Sequence, residues 1–135
     1  MIHAPIYITR ADLELIRDRL REAENSGYRG SPYIQKLKAE LARAEVVASD
    51  AALQDVITLD TTALLVDTDT QEPMQLTLVL PEHADLSQGK ISFLAPIGAA
   101  MLGYRTGSTF EWETPGGVRS LRVEKIISKN NAPAQ

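Results

Sequence analysis

The chain has no cysteine, which removes disulfides, thiolate catalysis and cysteine-ligated zinc together. No apolar run approaches the roughly 18–20 residues that span a bilayer. No basic segment followed by an apolar core opens the chain as a secretory signal would. A cytoplasmic protein without membrane contact is therefore expected. Histidine is also scarce: His3 and His83 have no second histidine or carboxylate at helical metal-binding spacing, so neither a metal nor another cofactor is expected. Ser87, Ser92 and Ser108 lack a nucleophile-elbow context, and the glycines match neither the Walker nor the dinucleotide pattern.

Positive charge is missing from a third of the chain. Between Ala44 and Gly89 there is no Lys or Arg, against nine Asp and Glu. A nucleic-acid surface concentrates cations to displace phosphate counterions, so direct DNA or RNA binding is not expected. The acidic stretch reads either as a solvated face or as a surface matched to a basic protein. The length of 135 residues fits one domain, or one small domain with a helical appendage.

The residues that are present fall into two patterns. Thr9 stands three before Asp12, a variant of the capping-box spacing. From Arg10 to about Glu24 the positions Leu13, Ile16, Leu20 and Ala23 form an apolar stripe, with Leu15 widening it. Asn25-Ser-Gly-Tyr-Arg-Gly30 breaks the pattern, and Ser31-Pro32 restarts it as N-cap and first helical residue. Ile34, Leu37, Leu41 and Ala44 then repeat the stripe, which predicts an antiparallel helical hairpin, a short coiled coil, over residues 1–50. Its tip is Ser26, Tyr28 and Arg29.

From residue 51 to 135 a β-rich domain is predicted, giving an α+β chain. Strands are expected at Val56–Leu59, Ala63–Val66, Met74–Leu80, Lys90–Leu94, Thr109–Trp112 and Val118–Ile127. A polar turn, Asp67–Pro73, separates the second from the third. Ile97–Leu102 reads as a short helix held by packing, and Gly103 suits the left-handed position that ends it.

One stretch carries more than fold. Lys90-Ile-Ser leads into Ala95-Pro-Ile-Gly-Ala-Ala-Met-Leu-Gly103, and Thr114-Pro-Gly-Gly117 follows. This series resembles the C-terminal domain of Gre-type transcription cleavage factors, with Ala95 where those factors usually have Ser and Ser108 where they usually have Asp. Ala95-Pro96, Leu80-Pro81 and Trp112 look more like a regulatory branch, the regulator of nucleoside diphosphate kinase (Rnk) family. The resemblance implies an FKBP-like antiparallel β domain with one short helix, behind an N-terminal coiled coil. It also implies RNA polymerase as partner, bound at the secondary channel, with Ala95, Pro96, Ile97 and Gly98 in contact.

The expected function is that of a non-catalytic, monomeric regulator competing with Gre-type factors. Cleavage factors present acidic residues at the coiled-coil tip to help hold magnesium. Here the tip has no carboxylate, and a helix of about 15 residues spans only about 22 Å. The alternative is a factor that stimulates transcript cleavage through Glu22 or Glu24. A prolyl isomerase pocket is not expected, because the β domain offers only Phe93, Tyr104, Phe110 and Trp112 as aromatic lining.

Overall fold

Thr9 ends one element and starts the next. Its hydroxyl accepts the Asp12 N–H at 3.1 Å, capping the helix that begins at Arg10. The Asp12 carboxylate in turn accepts the Leu59 N–H at 3.2 Å, which ties this helix to the β-rich half. The computed structural model describes residues 6–27, 31–48 and 53–129. In order these form β1 (Tyr7–Thr9), α1 (Arg10–Glu24), α2 (Pro32–Arg43), β2 (Glu45–Val47), β3 (Thr61–Asp67), β4 (Pro73–Val79), β5 (Lys90–Ser92), α3 (Pro96–Met101), β6 (Thr109–Thr114) and β7 (Gly117–Lys129). The boundary expected between residues 50 and 51 lies outside the described residues, as do Tyr28, Arg29 and His3.

The helical stripes are buried as their spacing requires: Leu13, Ile16, Leu20 and Ala23 on α1, and Ile34, Leu37 and Leu41 on α2. Leu15 does not widen the stripe. It is 40% exposed, because two residues along a helix turn it by about 200° from Leu13. Lys38 on α2 donates to Glu24 on α1 at 2.9 Å, and Leu20 and Leu41 line one shallow groove between the helices. The Ile6–Ile8 segment, apolar but too short to show alternation, contributes a strand. Tyr7–Thr9 pair in parallel with Glu45–Val47. Parallel strands need a long crossover, and α1 with α2 supplies it.

The second sheet has five strands in the order β5-β4-β3-β7-β6. Three of its four pairings are antiparallel, but β5 runs parallel to β4, so the sheet is mixed rather than antiparallel throughout. The reversal comes from 3-10 turns at Pro81–His83 and Leu86–Gln88, which carry the chain back along β4. Val56–Leu59 is not a strand, despite its β-branched residues. Only Val56 bridges, to Arg105. Thr58 and Thr61 turn the chain instead: the Thr58 N–H donates to the Thr61 hydroxyl at 3.0 Å. Lys129 Nζ donates to the Val56 carbonyl and to both hydroxyls at 2.7–3.0 Å.

Core residues from both halves form one cluster, from Ile8 and Ile16 through Phe93 and Met101 to Leu65 and Leu121. Three arginine–carboxylate pairs join distant segments, Arg105 with Asp55 at 3.0 Å being one of them. Arg119 on β7 donates to Asp67 at the end of β3 at 2.8 Å, and Arg19 on α1 donates to Glu82 at 2.6 Å. The Arg119 hydrogen bond holds the Asp67 carboxyl below the ordinary range, aided by the Thr70 and Asp69 N–H groups. Arg19 lowers Glu82 from 4.5 to about 2.

Gly103 follows α3 at φ +86°, and a Cβ there would lie 2.4 Å from the Ile6 Cβ. Gly103→Ala should therefore cost about 2 kcal/mol, read by urea unfolding, since both backbone and packing oppose the methyl. An unchanged midpoint would contradict this packing. The depressed carboxyls set the acid response. Each of their pairs stabilises the fold above the usual carboxylate pKa and loses that contribution as pH falls through the depressed value. Thermal midpoints measured downward from pH 5 should fall less steeply in R19A than in the parent, the gap between the two narrowing as pH approaches the Glu82 value of about 2. Parallel curves would rule out this linkage.

Candidate docking site

The junction from β5 to α3 is built around Ser92. Its hydroxyl accepts the Leu94 N–H at 2.9 Å and its carbonyl accepts the Ala95 N–H at 3.0 Å, folding the chain sharply into the helix. Phe93 and Leu94 plunge into the core. Pro96 then starts α3, where its missing N–H costs no helix bond, and the Ala95 carbonyl accepts the first one from Ala99 at 2.8 Å. Ser92 is thus a turn-forming residue of the Lys90-Ile-Ser motif, and the mark of that role is a Ser two residues before a buried amide.

The four predicted contact residues sit together but differ in what they offer. Pro96 is exposed and Ala95 half-buried, whereas Ile97 and Gly98 face inward. Gly98 lies directly on β5: a Cβ would stand 2.0 Å from the Ser92 carbonyl oxygen. Ile97 and Gly98 thus hold the junction in place, and Ala95-Pro96 is its outer surface. At the other end of the chain's predicted site, Ser26 is exposed and its hydroxyl donates to the Glu22 carbonyl at 2.9 Å, closing the end of α1. Ser26 is not part of the groove that Pro96 borders.

No spacing in the sequence points to that groove. It holds about 340 Å³ between α2, α3 and β6. Ile6, Leu37 and Leu102 give it an apolar floor, Tyr104 and Trp112 an aromatic side, and Pro96 a lip. Lys36, Glu40, Glu111 and Glu113 supply its charges. Burial is the main cause raising the Tyr104 hydroxyl pKa, and the nearby Glu40 carboxylate adds to it. Glu40 lies 3.6 Å from Arg43 through Oε2, while its Oε1 is enclosed and accepts no hydrogen bond among the described residues. Of the domain's four aromatics, Phe93 and Phe110 belong to the core, so only Tyr104 and Trp112 face the groove.

No metal-binding cluster of His, Cys, Asp or Glu occurs among the described residues. No described helix is long and apolar enough to cross a membrane.

Residues 52–128 match the family model described as the C-terminal part of transcription elongation factors GreA/GreB, and residues 5–47 match that described as the Rnk N-terminus. The regulator of nucleoside diphosphate kinase of Escherichia coli (strain K12) is 37% identical over 118 residues, covering 87% of this chain and 85% of that protein. The transcription elongation factor GreA of Phenylobacterium zucineum is 31% identical over 93 residues, 69% of this chain and 59% of that protein. Among solved structures, a transcription elongation factor GreA/GreB from Nitrosomonas europaea superposes with a TM-score of 0.75 at 35% identity, over 93% of this chain and all (100%) of that one. The GreA factor homologue 1 of Thermus thermophilus gives 0.50 at 26% identity, over the same shares.

The close approach of α3 to β5 has a direct check. Gly98→Ala should destabilise the protein by about 1–3 kcal/mol, since a backbone carbonyl cannot yield as a side chain can. Gly116→Ala, where the added carbon meets nothing closer than 3.9 Å, should stay within about 0.5 kcal/mol of the parent. Equal effects in the two variants would refute the packing account.

Proposed function

This chain belongs to the Rnk family and carries a C-terminal domain of the GreA/GreB type, and on that premise we propose that it is a non-catalytic regulator that binds RNA polymerase at the secondary channel and competes there with Gre-type factors. The observation that carries the reading is the Ala95-Pro96 junction. A proline is held outward on a rigid platform of Phe93, Ile97 and Gly98, beside an apolar groove. Rigid exposed apolar groups flanked by charge are what a protein partner rewards, because little ordering entropy is lost on binding.

The helical half is read as a short antiparallel hairpin. Glu24 at the end of α1 meets Gln35 in the first turn of α2 and Lys38 near its middle, which supports that arrangement. The five-stranded sheet with α3 is read as FKBP-like. The same contacts bear on catalysis. A carboxylate that helps hold magnesium must be free to coordinate it, whereas Glu24 accepts from Lys38 at 2.9 Å. Only Glu22 remains for the cleavage reading, and α1 has 15 residues. On this reading the protein acts in the cytoplasm, as a monomer and without contacting nucleic acid directly.

Purified core polymerase should retain the protein, and excess GreA should displace it. Absence of retention, or retention indifferent to GreA, sinks the proposal. Pro96→Lys should weaken retention by about tenfold with an unchanged circular dichroism spectrum; a folded variant that binds like the parent removes the junction from the contact. Backtracked complexes should keep their RNA at full length, and shortened RNA would favour the cleavage alternative.

A further inference from the structure

Glu111, Trp112 and Glu113 are consecutive on β6, yet all three line the groove. Successive side chains of a strand point to opposite faces, so the groove opens onto the strand's edge rather than onto one face. That edge is the outer one: β6 is the last strand of the sheet, paired only with β7 among the described residues. An open edge offers main-chain hydrogen bonds to an extended segment, whose alternate side chains then reach the pockets on either side.

The charges say what such a segment carries. Glu40, Glu111 and Glu113 line the groove against Lys36, and Arg43 stands 3.6 Å from Glu40. Glu40 Oε1 adds an enclosed acceptor that no described donor satisfies. The floor and aromatic side call for an apolar group, and the carboxylates around it call for cations. We propose that this groove docks an extended segment of a protein partner in which an apolar side chain is flanked by Arg or Lys. The apolar group sits between Pro96, Leu37 and Trp112, and the cations reach Glu40, Glu111 and Glu113. The assignment of that segment to the polymerase rests on the function proposed above; the chemistry of the groove does not.

Trp112 is the chain's one tryptophan, so its emission reports directly on the groove. Titrating the full chain with an Arg-Leu-Arg-Leu-Arg peptide should give a saturable emission change, and Glu-Leu-Glu-Leu-Glu should give none. Because Glu111 and Glu113 are exposed, E111K/E113K should fold as the parent does and weaken the basic peptide by at least about tenfold. E40Q, which keeps the side chain's shape, should weaken it as well. Equal response to both peptides, no saturable response, or unchanged affinity in both variants overturns the proposal. Core polymerase separates the two readings. Retention that the basic peptide and E111K/E113K leave untouched rejects the groove as the polymerase's docking site while keeping the polymerase as partner. Peptide binding without any retention rejects the polymerase and keeps the groove.

Discussion

Gly103 holds three separate parts of the chain together. Its N–H donates to the Ile57 carbonyl at 2.8 Å and its carbonyl accepts the Tyr7 N–H at 3.3 Å, while the next residue, Tyr104, accepts the Ile57 N–H at 2.9 Å. Ile6 lies against its α-carbon, closer than a methyl group would permit. One residue thus ends α3, seats the segment after residue 53, and fixes β1. Since β1 pairs with β2 across the two helices, the placement of α1 and α2 also depends on this close approach. So does the groove, whose floor includes Ile6 and whose walls come from α2 on one side and α3 with β6 on the other. A shift at Gly103 would move all of them together.

What could be read from the sequence follows from whether the cause was local. The helical stripes, Leu15 apart, and the Thr9 cap depend on residues within a turn of one another and stand as expected, as does Pro32 at the start of α2, although Ser31 makes no side-chain cap bond there. Gly103 was legible for the same reason, because the end of a short helix favours a left-handed glycine. Its second role, admitting Ile6, was not, since the two residues are far apart in the chain. The β1–β2 pair was hidden likewise: three residues carry no periodicity, and a parallel partner lies beyond a whole crossover. Val56–Leu59 misled in the other direction. Its composition favours a strand, but Thr58 and Thr61 bond each other and Lys129, from the far end of the chain, fixes the turn.

The candidate site divides in the same way. The Ala95–Gly98 motif is contiguous, so its place was legible, whereas the division of labour within it was not. Only burial distinguishes Pro96, which faces outward, from Gly98, which rests on the Ser92 carbonyl. The groove beside it could not be seen at all, because its lining comes from four stretches of chain that no spacing rule connects.

Charge was the least faithful guide, and the reason is instructive. The stretch from Ala44 to Gly89 contains carboxylates and no cations, which invites the reading of an acidic face awaiting a basic surface. Folding brings the cations from elsewhere. Asp55 takes Arg105, Asp67 takes Arg119 and Glu82 takes Arg19, so each of these carboxylates is matched by an arginine outside the stretch. Such pairs add little stability where exposed, but they fix which segments lie side by side, and they leave less of the stretch's charge to face outward. The carboxylates that line the groove, Glu40, Glu111 and Glu113, all lie outside the stretch; Glu40 sits among Lys36, Lys38 and Arg43, which disguise it, while Glu111 and Glu113 lie in the base-free segment between Arg105 and Arg119. Linear charge patterning averages along the chain, whereas a partner meets charge across a surface. The docking chemistry proposed for this groove therefore rests on Glu111 and Glu113, which the sequence already sets on either side of Trp112, and on Glu40, which the fold brings to them from α2.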